Sequence, residues 1–238
     1  MTGVQTCALP ISAAGAGALL GAGYVLQTLG LERTSVSSAG FITGMYVVLT
    51  PLIALALFRF QVGAAAWGGV ALATVGLAML AGVQSGSATG DLLVLAAAAV
   101  FSLQIVLMER YAPLYDPFAF TLVEMLIAFA GLAVVAIPTA AVPHGWTVWG
   151  ALLVTGIFAS ALAYLVQTWA QRRTSATRTA LAFTMEPVFA ALFGYTLAGD
   201  RLGTLGWCGC AVIMTGIVLA EPAAASTLAN LVRRRAAT

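Results

Sequence analysis

The sequence predicts an all-α polytopic membrane protein of eight transmembrane helices, three from one repeat unit and five from another, cut from a ten-helix inverted-repeat fold. Three observations lead there. The chain is 61% hydrophobic and only 8% charged, with a mean hydropathy of +1.02. A soluble domain has about 25% charged residues with which to build a surface, so lipid must solvate most of this one. The apolar residues fall into eight runs separated by polar or Gly/Pro breaks. Finally, residues 24–81 recur without a gap at 164–221, an offset of 140.

The runs cover 13–31, 36–58, 64–83, 90–108, 118–138, 147–170, 177–198 and 203–221. Most hold about 19–23 residues, enough to cross a hydrocarbon core of about 30 Å. Backbone groups in lipid must be satisfied within the segment, which makes helices the default, and the period-2 alternation of a membrane barrel is missing. The connections are short, at Glu32–Ser35, Arg59–Gly63, Gln84–Thr89, Glu109–Pro117, Thr139–Trp146, Gln171–Ala176 and Gly199–Leu202. None has room for a soluble domain. The tail, 222–238, is rich in Ala and ends near Arg233, Arg234 and Arg235.

Arg placement sets the orientation. The side bearing the C-terminus carries Arg59, Arg110, Arg172, Arg173, Arg178 and the three tail arginines, against Arg33 and Arg201 opposite. Basic residues favour the cytoplasmic side, so the C-terminus is expected there, in a bacterial-type plasma membrane.

The repeat is marked by Tyr24/Tyr164, Gln27/Gln167, Arg33/Arg173, Ser35/Ser175, Met45/Met185, Trp67/Trp207, Gly69/Gly209 and Gly76/Gly216. Its offset carries the first three spans onto the sixth, seventh and eighth. A shift of five helices is odd, so equivalent helices cross in opposite directions. Inverted repeats of this kind place a binding site near the midplane between the halves. The fourth and fifth spans have no partner in the chain, so two further helices, on the order of fifty residues, are expected in the parent protein. The segment 13–83 then reads as a partial first repeat and 90–221 as a complete second one. Residues 1–12 stand apart. Met1 to Ile11 lack the basic and apolar regions of a signal peptide and match one frame of a common sequencing-library adapter, so Cys7 and Pro10 are expected to carry no biology. A contiguous genomic copy is expected to read differently before Ser12; a native frame through these codons would sink that expectation.

The chain resembles the EamA family of the drug/metabolite transporter superfamily. The likeness rests on Leu29 to Leu57, Trp67 to Gly82 and Thr174 to Trp207, and on Glu186-Pro187, Asp200 and Trp207-x-Gly209 in the second half. The first half departs at Arg59-Phe60-Gln61, where the family usually has an acidic residue. The resemblance implies export or import of amino acids, drugs or other small metabolites, commonly with proton coupling. Truncation implies impaired activity.

Few residues carry chemistry. Glu186 lies about mid-span, where an ionised carboxylate is costly and must face a cavity or a partner. It is either a proton carrier or a structural Glu bonded within the bundle. Pro187 follows it and leaves the Phe183 carbonyl without its helix bond, and Pro51 does the same to Val47, so a kink is expected in each repeat. Tyr46 aligns with Glu186, making the symmetric site chemically asymmetric. Glu124 lies about two turns from a helix end and is expected to reach water. Gln27, Gln104 and Gln167, with Tyr24 and Tyr164 one turn before two of them, either bind polar groups of a solute or bond between helices. Asp91, Glu109, Asp116, Asp200 and His144 fall at span ends and are expected to be solvated. Gly68, Gly69, Gly76, Gly206, Gly209 and Gly216 favour close helix approach.

No phosphate loop, Ser/His/Asp set or metal cluster is legible, and Cys208 and Cys210 lack further ligands. The expectation is therefore a non-enzyme without cofactor or metal. Its partners are a small-molecule solute and membrane lipid, with a homodimer as a compatible assembly and no nucleic acid. Two other classes stay open. A membrane-embedded enzyme acting on lipids would need clustered acids, His or Cys at one interface. A structural subunit would show no flux.

Overall fold

The computed structural model describes residues 3–81, 87–137, 144–193, 195–196 and 203–220, with side-chain placement omitted for 3–10, Ser37 and Ala81. Expectations on Asp200, Arg201 and the arginine tail fall outside the described residues. The helices are α1 (Gly3–Leu31), α2 (Val36–Gly44), α3 (Tyr46–Phe58), α4 (Ala64–Ala81), α5 (Ala88–Tyr111), α6 (Pro117–Ala136), α7 (Trp146–Val154), α8 (Ala163–Gln171), α9 (Ala176–Phe183), α10 (Met185–Phe193) and α11 (Thr204–Ala220). No strand occurs among the described residues. Five runs are long and apolar enough to cross a membrane: Ile11–Leu31, Ser38–Phe58, Ala88–Leu114, Pro117–Ala136 and Trp146–Gln171. Shorter apolar helices cover Ala64–Leu80 and Thr204–Ala220. With the α9–α10 pair, these occupy all eight predicted spans. The first helix begins earlier than expected, its backbone being helical from Gly3 through the adapter-like stretch.

The helices start where local chemistry supplies acceptors for their unpaired N–H groups. Ser35 Oγ accepts from the Ser38 N–H at 3.1 Å, and its repeat equivalent Ser175 accepts from Arg178 at 3.4 Å. Asp116 caps α6 through the Ala119 N–H at 3.0 Å, with Pro117 at the first helical position. Glu109, expected in solvent, instead accepts from the Ala176 N–H at 2.7 Å and ties α5 to the start of α9. Asp91 likewise accepts from the Thr34 hydroxyl. Both corrections have one cause: chain ends in a bundle meet the unpaired amides and hydroxyls of neighbouring helices.

The second and seventh spans are each broken in two. One break falls at Met45, between α2 and α3, and the other at Thr184, between α9 and α10. Pro187 sits three residues into α10, where its missing N–H would be unpaired anyway, so the preceding helix ends before the ring can clash with it. Pro51 behaves otherwise. It lies inside α3, which continues through it, and the discontinuity comes six residues earlier. The breaks thus fall within one residue of the same repeat position, whereas the prolines lie four residues apart. The sixth span is also irregular, passing through a π-helical stretch at Thr155–Leu162 before α8. That span has no buried side chain in α7 or the π stretch, whereas α1, its repeat equivalent, lies between α5 and α6.

The most extensive helix pair is α4 with α11. A Cβ at Gly69 would lie 2.6 Å from the Gly216 carbonyl oxygen, and one at Gly76 would lie 2.7 Å from that of Gly209. Rising numbers on one helix meet falling numbers on the other, so these repeat-related helices are antiparallel, as the odd shift required. Gly209 is also the equivalent of Gly69, and Gly216 of Gly76, so the contact is its own mirror across a pseudo-two-fold axis. Val70, Ala73, Leu77 and Ile213 fill in around it and join Tyr46, Val47 and Leu181 in the largest buried cluster. In lipid, such contact depends on small residues that let backbones approach. Gly68 meets open space and takes no part. We expect Gly76→Val to lower stability by about 1–3 kcal/mol through overpacking against backbone that has no side chain to yield. Gly68→Ala should leave thermal unfolding in detergent unchanged; equal effects would place the crossing elsewhere.

Candidate functional site

Polar side chains from five spans converge on a cavity of about 430 Å³. Tyr24 and Gln27 come from α1, Thr43 from α2, Tyr46 from α3 and Gln104 from α5. Tyr164 and Gln167 come from α8, and Glu186 from α10. The spacing explains the first and last pairs: residues three apart on a helix share a face, so each Tyr–Gln pair points one way. At the cavity the hydroxyls of Tyr24 and Tyr164 hydrogen-bond to each other at 2.7 Å. These are repeat equivalents, so this contact too lies on the pseudo-two-fold axis.

The helix breaks place the next pair. Tyr46 is the first residue of α3 and Glu186 the second of α10. Each begins a half-helix at the cavity wall, and the repeat makes them equivalent positions. Glu186 opens to the cavity and has no hydrogen-bond or ion-pair partner among the described residues. Its place in the first turn sets the carboxylate against the positive end of the helix dipole. Tyr46 is nearly buried, with its ring edge-on to Phe183 at 6.3 Å.

Behind the wall runs a chain of amides. Gln167 Nε2 donates to Gln104 Oε1 at 3.3 Å and to Gln171 Oε1 at 2.9 Å, and Gln171 Nε2 donates to the Ile105 carbonyl at 2.8 Å. Gln104 Nε2 donates to Glu124 Oε1 at 2.7 Å. Glu124 therefore does not reach water as expected. It is 0% exposed, because α1 covers it: a Cβ at Gly17 would overlap the Glu124 carbonyl oxygen. Its second oxygen, Oε2, is buried without a partner. Gln27 donates to Thr43 at 3.2 Å across the first two spans. Thr121 and Thr168 bond at 2.8 Å between α6 and α8.

Comparison with known proteins decides the family. The model of the EamA-like transporter family matches residues 88–221, more than half of the chain. The chain belongs to the EamA-like transporter family. An uncharacterized transporter of Archaeoglobus fulgidus is 32% identical over 198 residues, covering 83% of this chain and 64% of its own length. A WAT1-related chloroplastic protein of Arabidopsis thaliana is 27% identical over 216 residues, covering 83% and 50%. A protein solved by crystallography shares the fold with a TM-score of 0.77 at 19% identity, covering 92% of this chain and 78% of the other. This EamA-type chain thus spans about two thirds or less of these curated relatives, and it is a multi-pass membrane protein.

Of the sequence-selected residues, Glu186, Tyr46, Gln27, Gln104, Gln167 and Tyr164 line this cavity, while Glu124 lies behind it. Neither Pro51 nor Pro187 is part of its lining. Sequence reasoning missed Thr43, Phe101 and Phe183, which also line the cavity, and placed Gln171 in a connection although it is 1% exposed within α8. The repeat held no signal for these, because their repeat equivalents are of other types or fall outside the repeated segment. Gln171 did leave a trace, lying four residues after Gln167 and so on the same helix face. Removing the Gln104 amide takes the donor from Glu124 Oε1 and an acceptor from the Gln167 Nε2 amide, and each buried group left unpaired costs about 1–3 kcal/mol. Gln104→Leu is therefore expected to destabilise the protein more than Glu124→Gln, which keeps an acceptor for Gln104. Paired thermal melts in one detergent check this; the reverse order would refute the network.

Proposed function

We propose that this protein is a secondary transporter that moves a small organic metabolite or drug by alternating access, as a proton-coupled exporter. The observation that carries it is the cavity's symmetry. Tyr24 meets Tyr164 on the axis, and the equivalent positions Tyr46 and Glu186 open two half-helices onto the same space. Inverted repeats can exchange conformations, opening such a cavity to one side and then the other. Glu186 is the carboxyl that reaches the cavity, and general physical cost makes a membrane carboxyl a functional group by default. The relatives named as transporters support the same reading. In this reading the C-terminus is cytoplasmic, the membrane is a bacterial-type plasma membrane, lipid and solute are the partners, and the chain can pair as a homodimer.

The test is a screen of radiolabelled amino acids, nucleobases and amine drugs in reconstituted vesicles with an imposed proton gradient. It is run on the chain as it stands and on a form extended to ten helices. The expected result is gradient-driven movement of at least one solute, weaker for the shorter form and abolished by Glu186→Gln. Gradient-driven flux that survives Glu186→Gln removes that carboxyl from the mechanism. Flux no greater than in empty vesicles, for both forms, removes transport.

A further inference from the structure

We infer that the cavity is built for a monovalent organic cation, an amine or quaternary ammonium group, with Glu186 as its counter-ion and aromatic rings as its walls. This deepens the transport reading, because it names the chemistry the same cavity accepts.

Charge comes first. Glu186 is the one acidic residue that lines the cavity, and no Arg or His lines it among the described residues. An anionic solute would meet a like charge with nothing to offset it. Interactions in such a site are strengthened by its low dielectric, so the sign of one charge decides much of the selectivity.

Hydrogen-bond donors come second. An anion needs free N–H groups, and the glutamine amides at the wall are largely committed: Gln167 uses both of its N–H groups, and Gln27 and Gln104 use one each. Gln27 donates to Thr43, Gln104 to Glu124, and Gln167 to Gln104 and Gln171. The first turn of α10 is where a helix favours negative charge, and Glu186 itself occupies it.

The walls come third. Tyr24 packs edge-on to Phe101 at 5.5 Å and 73°, and Tyr46 edge-on to Phe183 at 6.3 Å and 90°. All four rings line the cavity, as does Tyr164. Perpendicular ring pairs make corners, and aromatic faces attract cations, most strongly when the cation has shed its water. The volume of about 430 Å³ falls in the range of small-molecule sites, about 300–1,000 Å³. A compact ammonium with an apolar body fits these walls, which also include Leu20.

The experiment is isothermal titration calorimetry of the purified chain in lipid nanodiscs. The probes are benzyltrimethylammonium, its uncharged isostere neopentylbenzene, and the anion phenylmethanesulfonate. The cation is expected to bind, and the other two to bind at least about tenfold more weakly, in line with a desolvated cation–π and ionic contact. Glu186→Gln should weaken the cation by a similar factor, and Glu186→Asp should restore part of it, with helical content by circular dichroism unchanged. Comparable binding of the isostere or the anion, no binding of the cation, or undiminished binding to a folded Glu186→Gln protein would each overturn the inference. The comparison of probes on the unaltered chain needs no variant to fold. Cation binding without gradient-driven flux would sink the transport reading and leave this site standing. Flux of a neutral or anionic solute without cation binding would do the opposite.

Discussion

Backbone contact between α4 and α11 is the constraint on which the rest of this structure depends. Four glycines, Gly69, Gly76, Gly209 and Gly216, bring two helices so close that carbonyl oxygens stand where side chains would be. Lipid offers no hydrophobic drive for helices to associate, so close packing must supply it. Because the four positions are repeat equivalents in exchanged pairs, this one contact sets the two halves about a pseudo-two-fold axis. The Tyr24–Tyr164 hydrogen bond lies on the same axis. The cavity is what remains between the halves once both contacts are made.

The polar residues follow from a second constraint. A buried polar group without a partner is expensive, and in lipid no water corrects the omission. The glutamines at the cavity wall answer it by bonding to each other, to Thr43, to Glu124 and to the Ile105 carbonyl. This network gives two carboxyls different roles. Glu124 is locked in the interior, whereas Glu186 keeps its carboxylate toward open space. Glu186 begins the half-helix just past the break at Thr184, and there its side chain stays accessible.

Much of this was legible before any coordinates. The repeat gave the antiparallel relation of α4 and α11 by helix counting, and Tyr24, Gln27, Tyr164 and Gln167 stood out because polar residues recurred in apolar spans. Glu186 stood out because its cost in a span demands an explanation. Other features were misread for identifiable reasons. Glu124 was judged by its distance from the end of its own helix, yet α1 covers it through Gly17. Glu109 was judged solvated at a span end, yet it caps α9. Each error concerns a neighbour distant in sequence.

Composition, span length and the offset of the repeat determined the solvent of this protein, its helical class and the inversion of its halves. These properties are summed over many residues or repeated between them, so no single contact is needed to read them. Only the tertiary structure decided which polar side chains share a space. It turned Glu124 inward and Glu186 into the cavity, tied the glutamine amides into the wall, and set aromatic rings around the Glu186 carboxyl. The reason is geometric: helix period fixes the face on which a residue lies, but the packing of other helices decides what that face meets.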